Sequence, residues 1–216
     1  MKKHIVCFGD SNTHGYCADP ADCAEGGDRF NEAERWTRIL EKKLGNDFLI
    51  LEEGLSGRTT VFDDPLEEHL AGIDAIYSVL RTHEPVDLLV VMLGTNDAKC
   101  FLNQNADTIT MGMERLLRKA VSVDCWREKP NILLIAPPHI RPCIREHRFF
   151  SLMGEGALEK TRGLAVRYEK LAEAMGFHFL DAEGIAEFNQ VDGMHLTALG
   201  HAQLAQALAE RIPGMV

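Results

Sequence analysis

The 216-residue chain lacks long hydrophobic runs. Its longest apolar segments, residues 88–93 and 132–136, are much shorter than the roughly 20 residues that a membrane-spanning helix needs. The first ten residues include two lysines but too few apolar residues for the core of a signal peptide. We therefore expect a protein of the cytoplasm that has no membrane partner.

An excess of positive charge is also missing. The chain has 23 lysine and arginine residues against 33 aspartate and glutamate residues, which gives a formal net charge of −10. Such a charge repels phosphate backbones and anionic membrane surfaces. We expect no nucleic-acid partner.

The six cysteines form no CxxC pair, so the sequence suggests neither a zinc knuckle nor a thioredoxin-type site. In a reducing compartment they are expected to be free thiols. Cys17 and Cys23 share one loop and could approach each other, and the sequence leaves open whether they ever pair. No metal and no organic cofactor is expected.

Strand-like and helix-like segments alternate along the chain, which is typical of a parallel sheet covered by helices on both faces. The predicted strands are residues 5–8, 48–52, 87–93, 131–136 and 177–180. The predicted helices are residues 32–44, 70–83, 107–125, 155–175 and 197–211. Asp107 and Thr197 read as helix starts, and Gly176 as a helix end. Without a linker or repeat, residues 1–216 are expected to form one domain.

Four short polar blocks follow the predicted strands. They are Gly9-Asp10-Ser11-Asn12 after the first strand, Ser56-Gly57 after the second, Gly94-Thr95-Asn96-Asp97 after the third, and Asp192-Gly193-Met194-His195 after the fifth. Ligands of open α/β sheets bind at the carboxyl ends of strands, where the strand order reverses. We therefore expect these blocks to meet at one edge of the sheet.

The first and last blocks contain the residue types of a serine nucleophile and its base. The hydroxyl of Ser11 needs a general base to take its proton, and His195 is the candidate. Asp192 lies three residues earlier and can accept from Nδ1–H of the imidazole, which leaves Nε2 free for the serine proton.

The middle blocks can supply donors to an oxyanion. The backbone N–H groups of Ser11 and Gly57 and the side-chain amide of Asn96 are the three predicted donors. Glycine suits such a position because it lets the backbone approach a ligand closely. Each block alone is a weak signal, but the four in register predict a serine esterase.

Other residues near these blocks have secondary roles in this interpretation. Asp10 is expected to order the turn at the nucleophile, and Asp97 to brace its own loop. Arg58 is expected either at the pocket entrance or in a surface ion pair. Trp36 is expected in the core.

The blocks at Gly9-Asp10-Ser11, Gly57, Asn96 and Asp192-x-x-His195 resemble those of the SGNH hydrolases, also called GDSL esterases/lipases. The stretches Glu52 to Thr60 and Met92 to Asp97 are similar to the bacterial arylesterase branch, which includes enzymes able to make peracids. The resemblance implies a flavodoxin-like three-layer α/β/α sandwich with a five-stranded parallel sheet. It also implies an esterase of short-acyl or aryl esters that forms a homo-oligomer.

This sequence departs from the family pattern at Asn12, where the family's name calls for leucine, and we expect a more polar pocket there. His14 is a variable position in the arylesterase branch and is expected to shape the acyl or alcohol subsite.

Several alternatives remain open from the sequence. A carbohydrate O-acetyl esterase would use the same centre, and a thioesterase or lysophospholipase is a further candidate. From another class, the chain could be a non-catalytic flavodoxin-like binding module, although acidic residues in segment 11–31 would repel a phosphate group.

Overall fold

A computed structural model describes residues 1–216. Its centre is one sheet of five parallel strands in the order β2-β1-β3-β4-β5. The strands are β1 (Lys3–Gly9), β2 (Phe48–Gly54), β3 (Leu88–Met92), β4 (Ile132–Ala136) and β5 (His178–Asp181). All five predicted strands are confirmed, and so is their parallel arrangement.

Helices cover both faces of this sheet. They are α1 (Ser11–His14), α2 (Trp36–Leu44), α3 (Gly72–Thr82), α4 (Ala106–Val121), α5 (Phe150–Met153), α6 (Gly156–Arg162), α7 (Leu164–Met175) and α8 (Ala198–Arg211). No helix combines the length and apolar character that crossing a bilayer would require.

The two faces of the sheet bury separate cores. Side chains of α3, α4 and α7 pack on one face, while α2 and α8 pack on the other. Every residue of β3 and β4 is buried, because these central strands are covered on both sides. The predicted three-layer α/β/α sandwich is confirmed, and Trp36 lies in the core of the α2/α8 layer.

Two of the three helix ends predicted from the sequence agree with the structure. Thr197 caps α8 as predicted, since its Oγ1 accepts from the N–H of Gly200 at 3.0 Å. Gly176 ends α7 with a φ of +70°. The start predicted at Asp107 is wrong: α4 is capped by Asn105, whose side chain and that of Thr108 form a reciprocal capping box.

The predicted helix 155–175 is also not continuous. It consists of α6 and α7, which meet at Gly163. Gly163 packs against Ala106 of α4, and a Cβ there would lie 3.1 Å from the Ala106 Cβ. The break therefore lets the chain change direction where it contacts another helix.

The strand order places a crevice at the carboxyl end of β1. The chain passes from β1 to β2 on one side and later returns to β3 on the other side of β1. The helices that follow β1 and β3 therefore diverge to opposite faces, which opens the sheet edge between them. The four polar blocks lie at this edge.

Candidate active site

Ser11 is the first residue of α1 and follows β1 through a sharp turn at Asp10. The Asp10 Oδ1 accepts from the N–H of Asn12 at 3.0 Å and caps the short helix. The turn packs tightly, because a Cβ on Gly9 would lie 2.1 Å from the Oγ1 of Thr13. Asp10 thus orders the turn that presents Ser11, in the way the sequence suggested.

His195 lies between Ser11 and Asp192. The Ser11 Oγ is 2.8 Å from the Nε2 of His195, and the Nδ1 of His195 is 2.5 Å from the Oδ2 of Asp192. Because the carboxylate can only accept, Nδ1 carries the proton and Nε2 accepts from the serine hydroxyl. The three residues form one line of hydrogen bonds, and their side chains are largely buried.

The second oxygen of Asp192 holds its own loop. Its Oδ1 accepts from the N–H groups of Met194 at 3.0 Å and His195 at 3.2 Å, and from the Nδ2 of Asn189 at 3.0 Å. Burial by itself would raise the pKa of Asp192, but its hydrogen bond to His195, the charge there and these donors lower it to about 2. Asp192 is therefore ionised at any physiological pH.

The three residues predicted to supply the oxyanion donors, Ser11, Gly57 and Asn96, all line one cavity. Gly57 has a φ of +85° in a turn closed by the N–H of Arg58 donating to the carbonyl of Leu55. This is the third position of a turn that favours glycine. The N–H of Gly57 donates to no protein group.

The side-chain amide of Asn96 is oriented by contacts with Arg58 and Asp10. Its Nδ2 donates to the carbonyl of Arg58 at 3.2 Å and lies 3.5 Å from the Oδ2 of Asp10. The second contact is too long to be a strong hydrogen bond, so an oxyanion at Ser11 can compete for that N–H.

The cavity beside Ser11 has a volume of about 150 Å³. Its polar lining includes Ser56, Gly57, Glu67 and Lys99. The apolar and aromatic part of the lining consists of Tyr16, Phe149, Leu152, Met153 and Met194. A space of this size holds a small group next to the nucleophile, well below the several hundred Å³ of a site for a drug-sized ligand.

Two aromatic rings flank the base. The ring of Tyr16 lies 4.5 Å from that of His195, and Phe149 lies 6.2 Å from it, measured between centroids. Neither residue is predicted from the sequence, since each comes from a long loop with no motif. The only signal was loop length, because long loops in compact domains tend to carry function.

Comparison with known proteins agrees with this geometry. The model of the GDSL-like lipase/acylhydrolase family matches residues 7–203. The chain belongs to this family. No match to the chain is found among curated proteins.

Two solved structures of esterases superpose over almost the whole chain. An aryl esterase from M. smegmatis is 38% identical, with a TM-score of 0.89 and coverage of 99% of this chain and 100% of the other. A carbohydrate acetylesterase from Sinorhizobium meliloti is 32% identical, with a TM-score of 0.90 and complete coverage of both chains. The protein is a carboxylic ester hydrolase. The resemblance to the SGNH hydrolases, also called GDSL esterases/lipases, is confirmed.

Arg58 of this GDSL hydrolase lies neither at the pocket entrance nor in a surface ion pair, and both expectations are wrong. Its side chain is buried, stacks on the ring of Phe8 at 4.2 Å, and donates from Nη1 to the carbonyls of Gly9 and Glu53. Burial lowers the pKa of Arg58 to about 10. Arg58 braces the strand ends beneath the nucleophile.

Asn12 and His14 do not line the cavity, contrary to expectation. Asn12 is 1% exposed, and its side-chain amide bonds the backbone on both sides of His195. His14 ends α1 and packs against Gly54 of β2, where a Cβ would lie 2.2 Å from the His14 nitrogen. Burial, followed by the positive charge of Arg29, lowers the pKa of His14.

Asp97, the last residue of the third block, holds the loop that follows Gly57 of the second block. Its carboxylate accepts from the N–H of Thr60 at 3.0 and 3.1 Å and also from the Thr60 hydroxyl. This bracing of the loop agrees with the role suggested by the sequence. Burial and, to a smaller extent, the charge of Asp10 raise the pKa of Asp97 to about 6, although the hydrogen bonds from Thr60 act to lower it.

A buried ion pair holds Lys99, one of the residues that line the cavity. The Nζ of Lys99 lies 2.5 Å from the Oδ2 of Asp64, and both side chains are nearly inaccessible. Asp64 also accepts from the N–H of Leu66 at 2.8 Å. The pair therefore joins the loop at Asp64 to the chain two residues after the third block.

Cys17 and Cys23 lie together in a small apolar cluster with Phe30, and both are free thiols. Burial, with the nearby Cys23, raises the pKa of the Cys17 thiol to about 12. No group of three or more His, Cys, Asp or Glu side chains is arranged to ligate a metal ion.

Proposed function

We propose that this GDSL hydrolase cleaves small carboxylic esters through an acyl-enzyme on Ser11. The observation that carries the proposal is the hydrogen-bonded line from Ser11 through His195 to Asp192, next to a cavity that Gly57 and Asn96 also line. The residues at the carboxyl ends of the strands thus supply the nucleophile, the base and the donors to the oxyanion.

In the first half-reaction, Ser11 Oγ attacks the ester carbonyl while its proton passes to Nε2 of His195. The carbonyl oxygen becomes an oxyanion that accepts from the N–H groups of Ser11 and Gly57 and from the Asn96 amide. Asp192 stabilises the imidazolium of His195. The imidazolium then protonates the leaving oxygen, so the ester C–O bond breaks and the alcohol departs.

In the second half-reaction, water attacks the acyl-enzyme and gives a proton to Nε2 of His195. The same donors hold the second oxyanion. Collapse breaks the bond to Ser11 Oγ, which recovers its proton, and the carboxylic acid is released. An alcohol or hydrogen peroxide in place of water would give an ester or a peracid by the same steps.

The cavity favours short acyl groups. His195 must reach the leaving oxygen, so the alcohol part is expected on its side, next to Tyr16 and Phe149. The acyl group then lies in the remaining space of the cavity. A total of about 150 Å³ suits acetyl or propionyl chains better than long ones.

A carbohydrate O-acetyl ester is the second candidate substrate. It is supported by the 32% identity to the S. meliloti carbohydrate acetylesterase and by the small acyl space. Aromatic rings near the base could stack on a sugar as well as on an aryl alcohol.

The test is hydrolysis of a p-nitrophenyl ester series from acetate to long acyl chains, together with acetylated sugars, by wild type and Ser11→Ala. We expect Ser11-dependent activity that falls as the acyl chain lengthens. A folded Ser11→Ala variant that keeps wild-type activity would overturn the proposal. Preference for acetylated sugars over aryl acetates would select the second candidate.

We also propose that residues 1–216 act as one catalytic domain in a cytoplasmic homo-oligomer. The support is the single sheet shared by all four blocks, the six unpaired thiols, and exposed apolar side chains such as Leu66 and Met111. Light scattering of the purified protein tests the assembly, and a monomeric mass would contradict it.

A further inference from the structure

The side chain of Asn12 makes two hydrogen bonds that straddle the base. Its Nδ2 donates to the carbonyl of Met194 at 3.1 Å, and its Oδ1 accepts from the N–H of Leu196 at 2.9 Å. The amide therefore pairs with the residues immediately before and after His195. Asn12 itself immediately follows Ser11.

The backbone of His195 is held from the other side as well. Its carbonyl accepts from the N–H of Asn189 at 2.9 Å and from the Asn189 Nδ2 at 2.8 Å. Its N–H donates to Asp192. Only Asn12, among these partners, comes from the element that carries the nucleophile.

These contacts close a ring. Ser11 Oγ contacts the imidazole at 2.8 Å, the His195 backbone continues to Met194 and Leu196, and Asn12 returns the chain of contacts to α1. Since the block at 9–12 and the block at 192–195 come from opposite ends of the sequence, no local structure fixes their separation.

We propose that Asn12 is a positioning residue that sets the approach of the His195 imidazole to the Ser11 hydroxyl. This inference rests on the proposed role of Ser11 and His195. Its physical basis is that proton transfer depends steeply on geometry, so a misplacement of about 1 Å can reduce the rate about 100-fold. Asn12 does not line the cavity beside Ser11, so it acts through His195.

A purely structural role would have different consequences. Asn12 is buried, and any truncation costs stability because the Met194 carbonyl and the Leu196 N–H lose their partners. Trp36 offers a matched control, because its Nε1 donates at 3.1 Å to the backbone carbonyl of Asn12. Trp36→Phe removes a buried hydrogen bond to the same residue but leaves its amide in place.

The experiment compares Asn12→Ala and Trp36→Phe with wild type on p-nitrophenyl acetate, well below each melting temperature. We expect about a 10- to 100-fold loss of kcat for Asn12→Ala with KM within about twofold, and a wild-type kcat for Trp36→Phe. The low-field proton resonance of the His195 Nδ1–H should shift or broaden only in Asn12→Ala. Equal kcat losses in the two variants, or an unchanged resonance in Asn12→Ala, would overturn the proposal.

A third variant tests the hydrogen bonds directly. In Asn12→Asp the neutral carboxyl can donate to the Met194 carbonyl and accept from Leu196, as the amide does, whereas the ionised carboxylate cannot donate. We expect the ratio of Asn12→Asp to wild-type kcat to fall as pH rises. Asp10, whose pKa burial raises to about 6, titrates in both proteins, so the ratio cancels its effect. A ratio that does not change with pH would contradict the inference.

The two proposals fail separately. If Ser11→Ala retains activity, the proposed function itself is wrong. If Ser11→Ala is inactive while Asn12→Ala keeps the wild-type kcat, only the positioning role is wrong.

Discussion

The guanidinium of Arg58 lies beneath the nucleophile, where its Nη1 donates to the carbonyl oxygen of Gly9 at 2.8 Å. The same nitrogen donates to the carbonyl of Glu53, so one side chain joins the ends of β1 and β2. The Arg58 carbonyl in turn accepts from Asn96 after β3. Three neighbouring strand ends are thus tied together at the oxyanion donors.

The first prediction concerns this tie. Arg58→Lys keeps a positive charge but loses the planar guanidinium that stacks on Phe8 and reaches both carbonyls. We expect a loss of about 2 to 4 kcal/mol in the free energy of unfolding, because buried acceptors lose their donor. Activity should fall about tenfold or more, since Asn96 and Gly57 lose their support. Urea unfolding and ester kinetics measure the two effects.

Arg118→Lys is the control, because Arg118 is exposed and pairs only with Glu114 one helical turn away. Its effect on unfolding should stay within about 0.5 kcal/mol. Similar losses for the two arginines would contradict the role of Arg58.

The second prediction concerns the side-chain oxyanion donor. Asn96→Ala should reduce kcat about 100- to 1000-fold, the cost of removing one such donor, with little change in KM. Asn131→Ala is the matched control: this asparagine donates to two carbonyls, those of Asp87 and Met215, at the opposite edge of the sheet. The control should lose stability but keep its kcat. A large kcat loss in both variants would indicate a general structural effect.

Much of the fold could be predicted because the strands are short apolar runs separated by amphipathic helices. The parallel arrangement of the strands follows from this alternation. The blocks around Ser11, Asn96 and His195 could be placed at one edge of the sheet because the carboxyl ends of parallel strands meet there. Each block comes after a strand, and such a position can be recognised from the neighbouring residues in the sequence.

The residues that the sequence did not reveal act across long distances. Asn12 and Met194 are 182 positions apart, and nothing local marks the contact. Arg58 is expected at the pocket entrance or in a surface ion pair because arginine is mostly exposed, whereas the ends of β1 and β2 create a buried site for its donors. Tyr16, Phe149 and Lys99 line the cavity only because long loops fold over it.

The third prediction uses the pH dependence of stability. The pKa of Asp97, about 6 in the folded protein because of burial, lies above its ordinary value of 3.8. The folded state therefore binds the proton more tightly than the unfolded state. The contribution of Asp97 to stability is complete below about pH 3.8 and is lost as pH rises through about 6.

Asp97→Asn carries no such titration. Relative to this variant, wild type should lose about 3 kcal/mol of unfolding free energy between about pH 3.5 and about pH 8. Asp107→Asn is the control, because its exposed ion pair with Arg167 lowers the pKa of Asp107 and gives the opposite sign. Urea denaturation across this range measures both, and a difference for Asp97→Asn that is independent of pH would refute the prediction.

The fourth prediction concerns the Lys99–Asp64 pair. Burial alone would raise the pKa of Asp64, but the hydrogen bond and charge of Lys99 lower it. Removing one partner leaves a buried charge alone, so Lys99→Met and Asp64→Asn should each cost about 3 to 5 kcal/mol. The double variant should recover most of this loss, since neither charge remains to be desolvated. A double-mutant cycle by urea denaturation measures the coupling, and additive losses would contradict it.

Because Lys99 also lines the cavity, the folded double variant should show an altered acyl-chain preference on the ester series. A protein that is merely unstable would lose activity on all esters equally.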